Sequence, residues 1–257
     1  MDELRSEDRG GARWLTLNRP ERRNALSRDL IRALHGAIEQ AAGEPAVRAL
    51  VLAGAGPVFC AGADLTEFRQ ADDPAVLRAD GELLARLLAA IARSPKPVIA
   101  RVHGAAVAGA VGLIAASDFA VAAEDARFSL SEVRIGLVPA VISPFLLRAL
   151  GRRAAQALML SGLTIDAAEA LRIGLVQTVV EPPALDAAVD QLTAALALAA
   201  PGALGEVKGL VERVAAMSLE EAREPTIAML AARRASPEGQ EGMRAFLEKR
   251  RPDWAVS

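Results

Sequence analysis

Residues 98–122 read VIARVHGAAVAGAVGLIAASDFAVA, in which two short apolar runs flank a stretch rich in glycine and alanine. The runs at Val98–Val102 and Phe119–Ala122 have the length and the partly β-branched composition of buried strands. Similar runs lie at Arg13–Leu17 and Ala49–Ala53. Because helical patterns fill the intervals between these runs, the sequence predicts an α/β core.

Two amphipathic helices are predicted between the strands. Ser27 is a suitable N-cap, and the apolar residues that follow it recur at helical spacing. A second apolar stripe runs from Leu84 to Ile91. After Glu181-Pro182-Pro183 the sequence is alanine-rich and helical, without a strand pattern. We therefore expect an α/β core at residues 1–180 and a helical region at 181–257.

Composition excludes several classes of protein. The 257 residues are 52% hydrophobic, which is enough for a large core, and the net charge of −2 gives no field that would gather nucleic acid or an anionic membrane. A single cysteine and two isolated histidines predict neither a disulfide nor a metal site. The charged N-terminus lacks the apolar run of a signal peptide, so we expect a cytoplasmic protein.

Two segments of small residues are candidates for a binding site. Residues 58–65 read VFCAGADL and residues 104–112 read GAAVAGAVG. Small side chains leave backbone N–H groups accessible, as an oxyanion hole requires, and a helix that begins near Ala108 would add its positive dipole end. The alternatives are a surface turn in the first segment and close helix packing in the second. Neither segment has the spacing of a nucleotide-phosphate loop.

A candidate acid–base residue lies in residues 127–145, RFSLSEVRIGLVPAVISPF. Glu132 is the one acidic residue there, and its apolar neighbours favour a raised pKa. The alternative is a solvated glutamate at a strand edge. Elsewhere we expect Cys60 to be a buried apolar residue, His103 a core histidine, and Asp64 a residue that caps a turn or holds its loop.

Five segments, taken in order, resemble the enoyl-CoA hydratase/isomerase (crotonase) superfamily, and the likeness extends from Trp14 to Trp254. They read LNRPERRNALS at 17–27, VFCAGADL at 58–65, PVIARVHGAAVAGAVGLIAASDFAVAAEDARFSLSEVRIGLVPA at 97–140, ALRIGLV at 170–176 and EGMRAFLEKRRPDW at 241–254. The resemblance implies a spiral of ββα units with a C-terminal helical trimerisation region. The assembly implied is a homotrimer or a dimer of trimers.

The resemblance also implies roles for individual residues. Ala63 and Gly109 match the two residues whose backbone N–H groups hold a thioester oxygen, and Glu132 matches a catalytic glutamate. Coenzyme A is then part of the acyl-CoA substrate, with no separate cofactor. The positions matching its binding site are Arg22, Arg23, Ala25, Leu26, Ala61, Asp64 and Leu65, together with Phe246 and Lys249, which in the family often serve a neighbouring subunit.

One departure from the family pattern bears on the reaction. Typical hydratases carry a second catalytic glutamate three residues after the second oxyanion glycine, where this chain has Gly112. The leading hypothesis is a hydratase of a 2-enoyl-CoA, including a branched or glutaconyl-type one. The alternatives are a Δ3,Δ2-enoyl-CoA isomerase that uses Glu132 alone and an acyl-CoA-binding protein without catalysis. Residues 67–80 are expected to border the acyl pocket.

Overall fold

A computed structural model describes residues 2–68 and 73–255. Its strands are β1 (Leu4–Arg9), β2 (Ala12–Leu17), β3 (Ala49–Gly54), β4 (Val98–Val102), β5 (Ala105–Val107), β6 (Phe119–Ala123), β7 (Arg127–Ser129), β8 (Thr164–Asp166) and β9 (Thr178–Val180). Its helices are α1 (Arg28–Ala42), α2 (Leu65–Phe68), α3 (Pro74–Arg93), α4 (Gly109–Ala116), α5 (Ser143–Ser161), α6 (Ala167–Arg172), α7 (Leu185–Ala197), α8 (Pro201–Val214), α9 (Leu219–Ala235) and α10 (Pro237–Leu247). Short 3-10 turns occupy Pro20–Arg22, Glu132–Ile135 and Pro182–Ala184.

The strands form two sheets. The larger has the order β1-β2-β3-β4-β6-β9, in which β1 is antiparallel to β2 and every later pair is parallel. The smaller has the order β5-β7-β8. The four predicted strands correspond to β2, β3, β4 and β6, which lie side by side in the larger sheet. The α/β prediction is therefore confirmed.

Helices cover both faces of the larger sheet. On one face, alternate residues of the strands pack with buried leucines and isoleucines of α1 and α3. The prediction for α1 is confirmed, since the Ser27 side chain accepts a hydrogen bond from the Leu30 amide at 3.0 Å. On the other face, Leu185 and Val189 of α7 pack against Trp14 and Val51. The division at residue 180 stays a prediction, and α7 contributes to the core of the sheet.

The C-terminal helices α8 to α10 attach to this core through buried cations. Lys208 of α8 donates to the Asp118 carboxylate at 2.6 Å, and Arg48 donates to the carbonyls of Ala199 and Trp254. Within the described residues, no single helix has the length and apolar content to cross a membrane, although the bent pair 182–197 and 201–214 passes when the two are taken together.

Candidate active site

Three segments that are distant in sequence meet where the strands end. Cys60 bridges Ala106 and Ala63 bridges Leu26, so the loop after β3 lies between β5 and the loop before α1. Leu26 donates its amide to the Gly62 carbonyl at 2.7 Å and accepts from the Asp64 amide at 3.0 Å. Since backbone groups alternate in direction along an extended chain, the Ala63 N–H points away from Leu26.

The Ala63 and Gly109 amides are both available to a ligand. Within residues 2–68 and 73–255, neither donates a backbone hydrogen bond, and both residues line one cavity. Gly109 begins α4, whose N-cap residue, Ala108, offers no side-chain hydrogen bond. The arrangement places two donors and the positive end of a helix dipole at one site, as an oxyanion hole requires.

Backbone strain supports this arrangement at Ala108. Its φ of 54° and ψ of −120° lie in a region that residues with a side chain rarely adopt. The Ala108 amide donates to the Ser129 carbonyl at 2.8 Å, which fixes the turn that precedes Gly109. Gly62 faces this turn with a φ of 90°, and an added Cβ would lie 2.8 Å from the Val107 carbonyl oxygen. Glycine is therefore required at Gly62 for the two segments to approach.

Side-chain contacts hold the loop before α1 in place. Asn24, with a φ of 55°, donates its amide group to the carbonyls of Ala55 and Val58 at 2.8 and 2.9 Å. The carboxylate of Asp64 pairs with Arg19 at 3.0 Å and is buried. This pairing matches the expectation that Asp64 holds its loop.

Two other residues have the structural roles that the sequence predicts. Cys60 is fully buried, and burial raises the pKa of its thiol to about 12, so the thiolate nucleophile is not formed near neutral pH. His103 Nε2 lies 2.8 Å from the Gly56 carbonyl oxygen, and its Nδ1 lies 2.8 Å from the Arg101 guanidinium. Burial lowers the pKa of His103. The ring is thus neutral and held by hydrogen bonds, as expected, but it is only partly buried and lies outside the core.

The cavity that contains the two amides has a volume of about 300 Å³. Its walls are mostly apolar and come from α1, α3, the small-residue segments and the chain between β7 and α5. The lining includes Leu26, Ile31, Ala61, Ala63, Leu65, Phe68, Leu84, Gly109, Ser131, Glu132, Leu137, Val141 and Ile142. A site of this size and composition fits an apolar chain joined to a few polar groups.

Glu132 supplies a carboxylate to this cavity. It begins the 3-10 turn Glu132–Ile135 and not a strand edge, so the solvated strand-edge alternative is wrong. Its Oε2 is buried and has no hydrogen-bond partner within the described chain. Burial raises the pKa of the carboxyl above its ordinary value of 4.5. A carboxylate that is desolvated and unpaired is suited to accept and return a proton.

An apolar side chain occupies the position beside Gly112. A Cβ added to Gly112 would lie 2.9 Å from the Cβ of Ile142, closer still to its Cγ2, and 3.7 Å from the Leu88 side chain. Ile142 itself is buried and lines the cavity. The space that a side chain at position 112 would enter is therefore filled by hydrocarbon.

The structure brings together six of the twelve predicted site residues. Those that line the cavity are Ala63, Gly109, Glu132, Leu26, Ala61 and Leu65. Arg22, Arg23 and Ala25 lie on the loop that leads into Leu26, where the Arg23 carbonyl accepts from the Ala61 amide at 3.0 Å. Phe246 on α10 and Lys249 after it lie outside the lining, and Phe246 is 83% exposed. The roles assigned to all twelve stay predictions.

Sequence analysis assigned no individual role to Ala108, Ile142 and Asp80, which also line this cavity. In the sequence, Ala108 is distinguished only by its position directly before Gly109, the predicted oxyanion glycine. Ile142 meets Gly112 only through the tertiary fold, so no local pattern could reveal the contact. Asp80 lies in the segment expected to border the acyl pocket, of which residues 69–72 lie outside the described residues.

Comparisons with known proteins agree with this site. A family model described as enoyl-CoA hydratase/isomerase matches residues 7–256. The 2,3-dehydroadipyl-CoA hydratase of Escherichia coli is 35% identical over 243 residues, which cover 93% of each chain. The trans-2-decenoyl-[acyl-carrier-protein] isomerase of Streptococcus mutans is 32% identical, with 94% of each chain covered.

Solved structures extend the agreement to the whole fold. The crystal structure of an enoyl-CoA hydratase from Mycobacterium smegmatis superposes with a TM-score of 0.94, at 37% identity and with complete coverage of both chains. One from Shewanella pealeana gives a TM-score of 0.95, at 38% identity, with 98% of this chain and 96% of that chain covered. The crotonase fold expected from the sequence is confirmed, and the chain belongs to the enoyl-CoA hydratase/isomerase family.

Proposed function

We propose that the protein acts on an enoyl-CoA thioester through an enolate, and that its reaction is migration of the double bond from the 3- to the 2-position. The Ala63 and Gly109 amides hold the thioester oxygen, and Glu132 moves the proton. The observation that carries this choice is the contact between Gly112 and Ile142, which leaves Glu132 without a second carboxylate beside it.

Isomerisation needs one acid–base group. Glu132, as the carboxylate, removes a proton from C2 of the 3-enoyl thioester, and the electrons pass to the thioester oxygen. Two N–H donors stabilise this oxygen, each by roughly 3 to 4 kcal/mol. The protonated Glu132 then returns its proton to C4, which leaves the double bond between C2 and C3. The proton that leaves C2 is returned to C4, and no water enters the reaction.

The apolar walls support this sequence of steps. A half-buried carboxyl with a raised pKa is a stronger base than a solvated one and is protonated more readily by a carbon acid. Ile142 fills the space beside Gly112 with hydrocarbon, so no polar side chain there holds a water molecule, which favours protonation of the dienolate by Glu132 over protonation by solvent.

Hydration of a 2-enoyl-CoA is the second candidate, and the names of the relatives favour it. The relatives named above include hydratases at 35 to 38% identity. Ser131 lines the cavity next to Glu132 and offers a hydroxyl that could orient a water molecule. A single general acid–base residue contributes about 10² to 10⁴ in rate, so hydration with Glu132 alone would proceed at a reduced rate.

The experiment compares two reactions of the native protein. Isomerisation of 3-hexenoyl-CoA and hydration of crotonyl-, 2-hexenoyl- and 3-methylglutaconyl-CoA are measured at equal enzyme concentration. We expect isomerisation to exceed the fastest hydration by more than about 10²-fold, or roughly 2.7 kcal/mol in barrier. Faster hydration would assign the protein to the second candidate. Binding of hexanoyl-CoA with no turnover of any substrate would indicate an acyl-CoA-binding protein.

A further inference from the structure

The charged residues of the cavity lining have one sign. Among the described residues that line it, Asp80 and Glu132 are charged, and both are acidic. Glu132 lies at the reacting end, beside the oxyanion amides. Asp80 lies on α3, and its side chain is 12% exposed. A negatively charged group of a ligand that entered this cavity would therefore be repelled by like charge in a partly desolvated space.

Asp80 is also fixed in place by the nearest cation. Arg28 donates to both Asp80 carboxylate oxygens, at 2.6 and 2.7 Å, and its third nitrogen lies 3.3 Å from Glu67. The guanidinium additionally stacks over the Phe68 ring at 5.1 Å. One positive charge thus faces two negative charges, so the carboxylates of Asp80 and Glu67 already balance the charge of Arg28.

Asp80 lies on α3 one turn before Leu84, and both residues line the cavity that contains Gly109. Leu84 contacts Gly109, since a Cβ added to Gly109 would lie 3.9 Å from the Leu84 side chain. Asp80 precedes Leu84 by one helical turn, which is about 5.4 Å along the axis. An acyl group that carries a terminal carboxylate would therefore bring that charge into the same cavity as Asp80.

We infer that Asp80 selects against acyl groups that end in a carboxylate, and that the substrate is an acyl-CoA with an uncharged hydrocarbon tail. This inference rests on the proposed function, because it assumes that an acyl-CoA occupies the cavity. Asp80 acts in two ways. It repels a terminal carboxylate, and it binds Arg28, a cation that would otherwise attract such a group.

The test uses saturated, unreactive ligands of matched length. Calorimetry measures the binding of hexanoyl-CoA and adipoyl-CoA, which differ in the terminal carboxylate, to the native protein. We expect hexanoyl-CoA to bind at least about tenfold more tightly. Asp80→Asn should reduce this preference by about tenfold, since the amide removes the repulsion and releases Arg28. Asp80→Asn combined with Arg28→Gln should restore part of the preference, because the released cation is gone.

Asp29→Asn is the matched control, because it removes an acidic charge from the exposed pair with Arg32 on α1. It should keep the native preference. Equal or tighter binding of adipoyl-CoA by the native protein would overturn the inference whether or not the variants fold, and so would an unchanged preference in a folded Asp80→Asn protein. If the preference is observed while no enoyl-CoA is turned over, the proposed function fails and the charge selection stands.

Discussion

Ile142, which lines the candidate active-site cavity, packs directly against Gly112 and fills the volume that any side chain at position 112 would need. Typical hydratases of the family place a glutamate at this position. In this protein, a glutamate at position 112 alone would collide with Ile142, the residue that precedes α5. The absence of a second carboxylate is thus built into the packing as well as the sequence.

Gly112→Glu by itself should destabilise the protein. Overpacking against Ile142 should lower the free energy of unfolding by about 1 to 3 kcal/mol, as urea denaturation would measure. In the double variant Gly112→Glu with Ile142→Ala, the smaller alanine leaves space for the glutamate side chain. We expect its ratio of hydration to isomerisation to be at least about tenfold higher than that of Ile142→Ala alone. An unchanged ratio in a folded double variant would mean that position 112 does not control access of water.

Ala108→Gly should stabilise the protein. The φ of 54° at Ala108 is strained for alanine and accessible to glycine, so the free energy of unfolding should rise by up to about 1 kcal/mol. The control is Ala110→Gly, two residues on and inside α4, which should lower it by about 1 kcal/mol. Thermal denaturation compares the two. A loss of stability in Ala108→Gly would show that the turn does not hold strain.

Glu132→Gln should stabilise the protein at pH 7. Burial raises the pKa of Glu132 in the folded state, so the folded protein binds this proton more tightly than the unfolded chain. The free energy of unfolding therefore falls as the pH rises from 4.5, the ordinary pKa of a glutamate, through the raised pKa of Glu132. The glutamine variant has no carboxyl group to ionise, so it does not lose this stability. Its Tm should exceed that of the native protein at pH 7, and the difference should shrink below pH 4.5. A constant difference would contradict the raised pKa.

The C-terminal region should assemble into a homotrimer or a dimer of trimers. Its helices carry large apolar residues at high exposure, among them Leu219 at 94%, Phe246 at 83% and Leu247 at 80%. Apolar groups in such number mark an interaction surface. Light scattering at micromolar concentration measures the assembly, and a monomer would contradict the expectation.

The strands that could be predicted are the ones with buried side chains. β2, β3, β4 and β6 lie inside the larger sheet and have apolar sequences, whereas β1 and the three-residue strands β5, β7, β8 and β9 are not predicted. The edge strand β1 shows the reason. Its sequence, LRSEDR, is mostly exposed and charged, and it pairs with β2 through the backbone. Such an edge strand lacks the hydrophobic alternation on which sequence analysis depends.

The residues of the candidate site also fall into two groups, those that the sequence indicates and those that only the tertiary fold brings together. The resemblance to the family pointed to Ala63 and Gly109, and Glu132 also stands out as the one acidic residue of an apolar segment, so the place of these residues in the cavity could be expected. The contacts of Ile142 with Gly112 and of Asp80 with Arg28 join residues 30 and 52 positions apart. Such contacts depend on how helices pack, which the sequence does not express at any one position.

The central claim is that Glu132 carries the proton, and Glu132→Gln tests it most directly. Turnover of 3-hexenoyl-CoA and the affinity for hexanoyl-CoA are measured for this variant and for Glu124→Gln, which removes an exposed carboxylate outside the cavity lining. We predict that Glu132→Gln lowers kcat by at least about 10²-fold while the Kd for hexanoyl-CoA changes little, and that Glu124→Gln matches the native protein in both. Near-native kcat in Glu132→Gln would contradict the account.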